Sequence, residues 1–240
     1  MSERILKALM QLFAIIAKGE LNEETGEVNY DVGGRKIVRQ FLRQELNQEL
    51  IKEYLSLFDE FLLSHQGKSS KKVGKRKRTS VNSVKVLRIC TQINEELTQR
   101  QKIIVLIRIL EFIYANEAIT DQELEFVTTV AETFNIPKEE FDDCLTFVNA
   151  DEAAVIDKEV CLVIDGSKET NLKHSKHIYS DTIVGFLRVI RVLSVNTYFV
   201  RYYGNHGLYL NGQIITQDRV QVLTQGSSLR SSRVQPIYYS

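Results

Sequence analysis

The chain lacks the patterns that mark membrane-spanning and disulfide-stapled proteins. No run in it approaches the roughly 20 consecutive apolar residues that a membrane-spanning helix needs. Its three cysteines, Cys90, Cys144 and Cys161, lie in apolar runs and form no Cys-x-x-Cys pair, which is typical of a reduced chain. We therefore expect a cytoplasmic protein.

Catalytic motifs are missing as well. Six residues separate Gly67 from Gly74 where a phosphate-binding loop has four, and Arg76 stands where that loop has Ser or Thr. No Gly-x-Ser-x-Gly nucleophile elbow is present. We expect a protein that is not an enzyme, and the only cofactor that the sequence suggests is a divalent cation, Ca²⁺ or Mg²⁺, discussed below.

The chain is rich in apolar residues, and its charges are unevenly distributed along it. Hydrophobic residues make up 43% of its 240 residues, which is enough for two compact domains. The 31 basic and 31 acidic residues balance, but residues 160–240 carry nine Lys or Arg against four Asp or Glu. Residues 68–78 alone hold seven basic residues. The remainder of residues 1–159 is therefore anionic and suited to cations or a basic partner.

Two stretches of the first 150 residues share one pattern: an apolar helix, a short acidic turn and an amphipathic helix pair. The apolar helices end near Ala17 and Ala115. Two such half-units can bury their apolar faces against each other, which favours one helical domain. The turns read Lys18-Gly19-Glu20-Leu21-Asn22-Glu23-Glu24 and Asn116-Glu117-Ala118-Ile119-Thr120-Asp121-Gln122-Glu123.

Further signals set the ends of the predicted helices. Asn47 is a predicted N-cap, and Thr120 with Glu123 has the spacing of a capping box. Residues 20–34 contain three glycines and several acids and predict a loop. Residues 65–80 are rich in Gly, Ser, Lys and Arg with a single Val, and predict a flexible basic loop inside the domain.

At about residue 151 the pattern changes to that of strands. Residues 185–203 alternate and mix β-branched with aromatic side chains. Asn211-Gly212, between two apolar runs, predicts a tight hairpin turn because both residues accept positive φ values. The chain stops within a strand-like run, so we expect a β domain that is truncated at its C-terminal end.

The first part resembles the TerB-like (tellurite-resistance B) helical domain. The resemblance covers about residues 1–150 and rests on the repeated helix and on the two acidic turns, the first of the form Ala-x-Gly-Glu-Leu. It implies an all-α domain of about seven helices. The basic loop at residues 65–80 is then an insertion between the two repeats.

The β part resembles the last hairpins of a forkhead-associated (FHA-like) β-sandwich, through Leu210-Asn211-Gly212 and residues 223–229. The early Gly-Arg and the Ser-x-x-His with which that family reads phosphothreonine are missing, so we do not expect phosphopeptide binding. The predicted fold class is therefore α+β: a TerB-like domain at residues 1–150 followed by a small β-sandwich-like domain at residues 155–240.

This order of domains is similar to the N-terminal cytosolic region of large bacterial ABC-type transporter ATPases. The similarity implies a non-catalytic regulatory or scaffolding module at the inner face of the membrane. Its partners would be other domains of the same longer chain or a membrane-associated complex.

The acidic turns carry an alternative role as a metal or stress sensor. Ca²⁺ or Mg²⁺ takes several converging carboxylate oxygens. The helix macrodipole offers a simpler reading, since it favours acids in first turns without any ligand. The candidate cation ligands are Glu20, Glu23, Glu24, Asp121 and Glu123.

The basic loop carries a second alternative, a tether to anionic lipid or nucleic acid. Such contacts weaken steeply with salt. Nucleic acid is the less expected partner because no aromatic residues for base stacking lie nearby, and a solvated linker is the simpler reading. The candidate anion-binding residues are Lys71, Lys72, Lys75, Arg76, Lys77 and Arg78.

Five aromatic residues of the β part allow two interpretations. They form either an exposed recognition surface or a set of core and cross-strand partners, and we favour the core. They are Tyr198, Phe199, Tyr202, Tyr203 and Tyr209.

Overall fold

The computed structural model describes residues 3–17, 20–21, 28–29, 34–66, 75–114, 119–215, 219–231 and 237–239. Within these residues the chain is α+β, as predicted: helices come first and two β-sheets follow. Contacts divide the chain into two compact units, Met1–Lys138 and Glu139–Ser240. The sequence placed the boundary between residues 150 and 155, so the division falls about one helix earlier than predicted.

Seven helices lie in the described residues, matching the predicted number. They are α1 (Glu3–Ile16), α2 (Gly34–Glu45), α3 (Gln48–Gln66), α4 (Lys75–Glu96), α5 (Gln99–Tyr114), α6 (Asp121–Thr133) and α7 (Lys138–Asn149).

Two short strands, β1 (Glu20–Leu21) and β2 (Val28–Asn29), pair antiparallel within the region predicted as a loop. Their register places Leu21 opposite Val28 and Glu20 opposite Asn29.

Helices α1 and α5 form the centre of the helical unit. Helix α1 contacts α2, α3, α4 and α5. Phe13 of α1 is 1% exposed; its ring stacks on that of Phe112 in α5 with centroids 4.9 Å apart and meets Phe41 of α2 edge-on at 5.6 Å. Residues 103–114 are apolar nearly all round, which predicts a core helix, and most of α5 is indeed buried.

Both predicted caps begin helices. The side-chain oxygen of Asn47 accepts a hydrogen bond from the Leu50 amide at 3.0 Å, at the start of α3. At the start of α6, the Thr120 hydroxyl accepts from the Glu123 amide at 3.4 Å, and the Glu123 carboxylate accepts from the Thr120 amide at 2.9 Å. These bonds satisfy amides that have no partner inside the helix, so local sequence fixes both starts.

Helix α4 begins inside the stretch that was predicted as the basic loop. The prediction covered residues 65–80, but α3 runs to Gln66 and α4 starts at Lys75. Residues 67–74 lie outside the described residues. Lys and Arg are good helix formers, so Lys75-Arg76-Lys77-Arg78 can extend the helix that follows in spite of its charge.

The second half of the sequence repeat is divided between the two units. Helices α2 and α3 contact each other inside the first unit. Of the corresponding pair, α6 lies in the first unit, whereas α7 apart from its first residue lies in the second. The repeat predicted both pairs in one domain. The end of α7 is held in the second unit by long-range hydrogen bonds, described below, which a repeat pattern does not show.

The second unit contains two sheets. The first has the strand order β4-β3-β5-β6-β9, with β3 and β4 parallel and the other pairs antiparallel. Its strands are β3 (Cys161–Asp165), β4 (Lys176–Tyr179), β5 (Phe186–Val192), β6 (Thr197–Tyr203) and β9 (Gln221–Leu223). The second sheet is antiparallel, with the order β11-β10-β7-β8. Its strands are β7 (Tyr209–Leu210), β8 (Gln213–Ile214), β10 (Ser228–Arg230) and β11 (Ile237–Tyr238).

One buried cluster joins the two sheets. Leu187 and Val200 of the five-stranded sheet belong to it together with Leu210 and Leu229 of the four-stranded sheet. The β7–β8 hairpin turns at Asn211-Gly212, whose φ values of 52° and 83° confirm the predicted tight turn.

No helix within the described ranges is both long and apolar enough to cross a membrane. The three cysteine thiols are free and buried. Burial raises the pKa of Cys90 and Cys144 to about 12 and that of Cys161 to about 11, so these thiols are protonated and unreactive at neutral pH.

Candidate functional site

The structure gives Glu123, one of the predicted cation ligands, the role of a helix cap. Its side chain is buried and its carboxylate accepts from both the amide and the hydroxyl of Thr120, at 2.9 and 2.6 Å. Asp121 is exposed at the first position of α6. Glu23 and Glu24 lie outside the described residues, as does the side chain of Glu20.

Among the side chains that the structure places, no three His, Cys, Asp or Glu groups come together as metal ligands. For Glu123 the geometry supports the simpler of the two readings of the acidic turns, that of a residue stabilising a helix start.

The predicted anion-binding residues are described only in part. Lys71 and Lys72 lie outside the described residues, and Lys75, Arg76, Lys77 and Arg78 are placed by their backbone at the start of α4. Four successive helical residues cover about one full turn of a helix. The positive end of the helix dipole also disfavours cations there.

The aromatic residues of the β part are mostly core, as we favoured. Phe199, Tyr202 and Tyr203 are buried, Tyr198 is half-buried against the core cluster, and Tyr209 is exposed. A shared recognition surface made of all five is therefore wrong.

Two arginines that the sequence patterns did not predict, the buried Arg188 and the half-buried Arg201, hold the end of α7 and the residues after it to the five-stranded sheet. The Arg188 guanidinium lies 4.7 Å from the centroid of the Tyr203 ring and donates to the Tyr203 hydroxyl at 2.9 Å. That hydroxyl donates in turn to the Ala150 carbonyl at 2.8 Å. Arg201 donates to the carbonyls of Val148 and Ala150 at 2.8 and 2.9 Å, where the negative end of the helix dipole favours a cation.

The one sequence signal that could have revealed this network is Arg188 within the mostly apolar strand Phe-Leu-Arg-Val-Ile-Arg-Val. A buried guanidinium must find acceptors, and for Arg188 the Tyr203 hydroxyl and the carbonyls of Asp151 and Ala154, just after α7, supply them. The side chains of Arg188 and Arg201 are thus engaged in structure.

The opposite, inner face of the five-stranded sheet forms a cleft of about 730 Å³ within the second unit. Cross-strand pairs of the ladder share one face of a sheet. Leu162 pairs with Val189 of β5 and with Lys176 of β4, and Ile164 pairs with Leu187 and with Ile178. The core-facing side of β3 and β5 therefore continues onto β4.

The core is covered over β3 but open over β4. Ile164 is 3% exposed, whereas its neighbour Ile178 on the same face is 47% exposed. The far wall of the cleft is formed by β10 and β11, with Leu229, Ile237 and Tyr239. The cleft is the unsealed side of the core between the two sheets.

Charged groups line the rim of the cleft. Among the described residues, two cations, Lys176 and Arg191, lie there with one acid, Glu159. The Arg191 guanidinium is oriented by Asn196, whose side-chain oxygen accepts from it at 2.9 and 3.2 Å, and it lies 5.6 Å from the centroid of the Tyr198 ring. The rim is cationic overall and its inner wall is apolar.

An aspartate holds the loop that leads into β4. The Asp157 carboxylate accepts hydrogen bonds from the backbone amides of Ser175, Lys173 and His174, at 2.8, 2.9 and 2.8 Å. These three bonds favour the charged form and lower the pKa of Asp157 to about 2. The start of β4 is thereby fixed beside β3.

A second aspartate ties β4 to β3 through His177. Burial raises the pKa of Asp165, but the hydrogen bonds from the His177 ring at 2.9 Å and from the Ser167 amide at 2.7 Å outweigh it, so the pKa lies below its ordinary value. The hydrogen bonds of both aspartates hold β4 in place, and β4 is an edge strand whose inner face is exposed.

No family model, curated protein or solved structure matches the chain.

Proposed function

We propose that the chain is a non-catalytic regulatory or scaffolding module that holds a partner in the cleft of its β unit. In this proposal the helical unit is TerB-like and the β unit FHA-like, and together they are the N-terminal cytosolic region of a larger, membrane-associated ABC-type ATPase. The partner is another domain of that longer chain or of its complex.

The observation that carries the proposal is the contrast between Ile164 and Ile178. The two side chains are cross-strand neighbours on one face, yet one is buried and the other is half exposed. Concave, mostly apolar surfaces with a few polar groups at the rim are typical of binding sites. An apolar face that continues a core into solvent is stabilised when a partner covers it.

The FHA-like part of the proposal is supported by the two-sheet core and by the Asn211-Gly212 hairpin that carried the resemblance. The site proposed here is the open side of the sheets, which uses none of the phosphothreonine-reading pattern that the sequence lacks.

The reading frame downstream of Ser240 tests the transporter context. A phosphate-binding loop and apolar spans in the continuing frame are the expected result. A stop codon directly after Ser240 contradicts it.

The binding role is tested in the longer chain through its ATPase rate. Ile178→Glu places a charge in the cleft and should change the rate several-fold. Ile214→Glu is the matched control, because Ile214 is an equally apolar strand residue, 63% exposed, that does not line the cleft. Equal rates for both variants and the unaltered chain contradict a regulatory role for the cleft.

A further inference from the structure

We infer that the cleft accepts an extended polypeptide segment that adds as a strand to the free edge of β11 and alternates apolar with acidic residues. The inference rests on the proposed binding role but not on the transporter context. It follows from the edge of β11, the shape of the uncovered face and the charge of the rim.

The hydrogen bonds of β11 define its free edge. The Tyr239 amide donates to the Ser227 carbonyl at 3.0 Å, and the Tyr239 carbonyl accepts from the Gly226 amide at 2.7 Å. Residue 239 therefore faces β10. In an antiparallel pair the orientation of the peptide groups alternates, so the N–H and C=O of Tyr238, which stands opposite Ser228, point away from β10.

The edge lies beside the cleft with nothing paired to it in the described strands. In the strand order of the second sheet, β11 is an edge strand. A further strand would lie about 4.8 Å beyond β11 and about 10 Å from the facing sheet. At that distance its inward side chains would meet the inner face of β3 and β4, where Leu162 and Ile178 are incompletely covered.

The side-chain requirements of the segment follow from the walls of the cleft. Successive strand residues point to opposite sides, so apolar residues must occupy alternate positions to fill the apolar floor. Lys176 and Arg191 start from the same face as the apolar floor, but their long side chains are exposed and can extend past it to the mouth of the cleft. With one acid, Glu159, beside them, these two cations favour acidic residues at the other positions of the segment. Main-chain hydrogen bonds to Tyr238 supply affinity that does not depend on sequence.

The test titrates the chain with fluorescein-labelled eight-residue peptides in which Glu alternates with Val, Leu or Tyr, and follows fluorescence polarisation. Saturable binding is expected for at least one of the three. Replacing Glu by Lys should weaken it about tenfold, and so should a central Pro, because each removes one of the two requirements.

Two substitutions at one position separate backbone pairing from side-chain contact. Tyr238→Pro removes the outward N–H together with the phenol side chain, a change that edge strands tolerate, and should weaken binding about tenfold. Tyr238→Ala keeps the N–H and should leave affinity within about threefold. Unchanged thermal unfolding of both variants shows that the sheet is intact.

Several results overturn the inference. They are the absence of saturable binding by all three acidic peptides, equal affinity for the Lys peptides, and insensitivity to Tyr238→Pro. Displacement of bound peptide by oleate, with oleate affinity unaffected by Tyr238→Pro, assigns the cleft to an amphiphile instead. Peptide binding together with a stop codon after Ser240 removes the transporter context and leaves the strand site standing.

Discussion

The helical unit and the β unit differ in how completely they bury their apolar surface. In the first, α1 and α5 place Phe13 and Phe112 inside a core closed by the neighbouring helices. In the second, the core reaches Ile164 and then continues into an open cleft at Ile178. The closed core accounts for stability, and the open one offers a surface for recognition.

The largest expected effect tests the closed core. Phe13→Ala removes a ring that contacts both Phe41 and Phe112, and should lower the free energy of unfolding by about 3–5 kcal/mol. Urea unfolding followed by circular dichroism at the helical band measures it. The paired change in the open core, Ile178→Ala, should lower it by less than about 1 kcal/mol, since that side chain is half exposed. Similar losses for the two variants would remove the contrast.

The next effect concerns the covered face of the five-stranded sheet. Arg188→Met leaves the Tyr203 hydroxyl and the carbonyls of Asp151 and Ala154 without their guanidinium donor, and should destabilise the β unit by about 2–3 kcal/mol. Arg188→Lys keeps the charge and a donor, so it should lose less stability than Arg188→Met. It should still be less stable than the unaltered chain, because an ammonium cannot reach all three acceptors at once. Thermal unfolding of the three proteins compares them. A Met variant as stable as the unaltered chain contradicts the role given to this network.

A smaller effect tests local control of helix starts. Thr120→Ala removes the hydroxyl of the capping box and should lower stability by about 1 kcal/mol. Thr120→Ser restores an acceptor at the same position and should recover most of the loss in the same urea experiment. If the Ser variant is no more stable than the Ala variant, the lost stability comes from the methyl group of Thr120 and not from the cap.

The last effect is a pH dependence of the strand that borders the cleft. The pKa of Asp157 is lowered to about 2 from its usual 3.8, so its contribution is present above about pH 4 and is lost as the pH falls through 2. The difference in Tm between the unaltered chain and Asp157→Asn should therefore be constant from pH 7 to 5 and shrink towards pH 2. A difference that does not change with pH shows that the carboxylate charge contributes nothing.

Local features were predictable from the sequence. Asn47, Thr120 and Glu123 cap helices where their spacing predicted, and Asn211-Gly212 turns the hairpin, because these signals act over a few residues. Residues 103–114, which are apolar nearly all round, likewise predicted a core helix.

Long-range features were not predictable. The parallel pairing of β3 with β4 joins residues 162–165 to residues 176–179, and alternation along a strand does not tell which stretch of its apolar face is covered. The place of α7 in the second unit depends on bonds from Arg201, more than fifty residues further along the chain. The cleft is a product of such pairings, so it could not be found by reading motifs.

Amide hydrogen exchange at Tyr238 and Tyr239 tests the central claim most directly. In the chain alone, the Tyr238 amide should exchange freely while the Tyr239 amide, bonded to Ser227, is slowed. Addition of an acidic alternating peptide should slow Tyr238 by about tenfold or more and change Tyr239 little. Equal protection of both amides before any peptide is added would show that the edge of β11 is already covered, and would contradict the account.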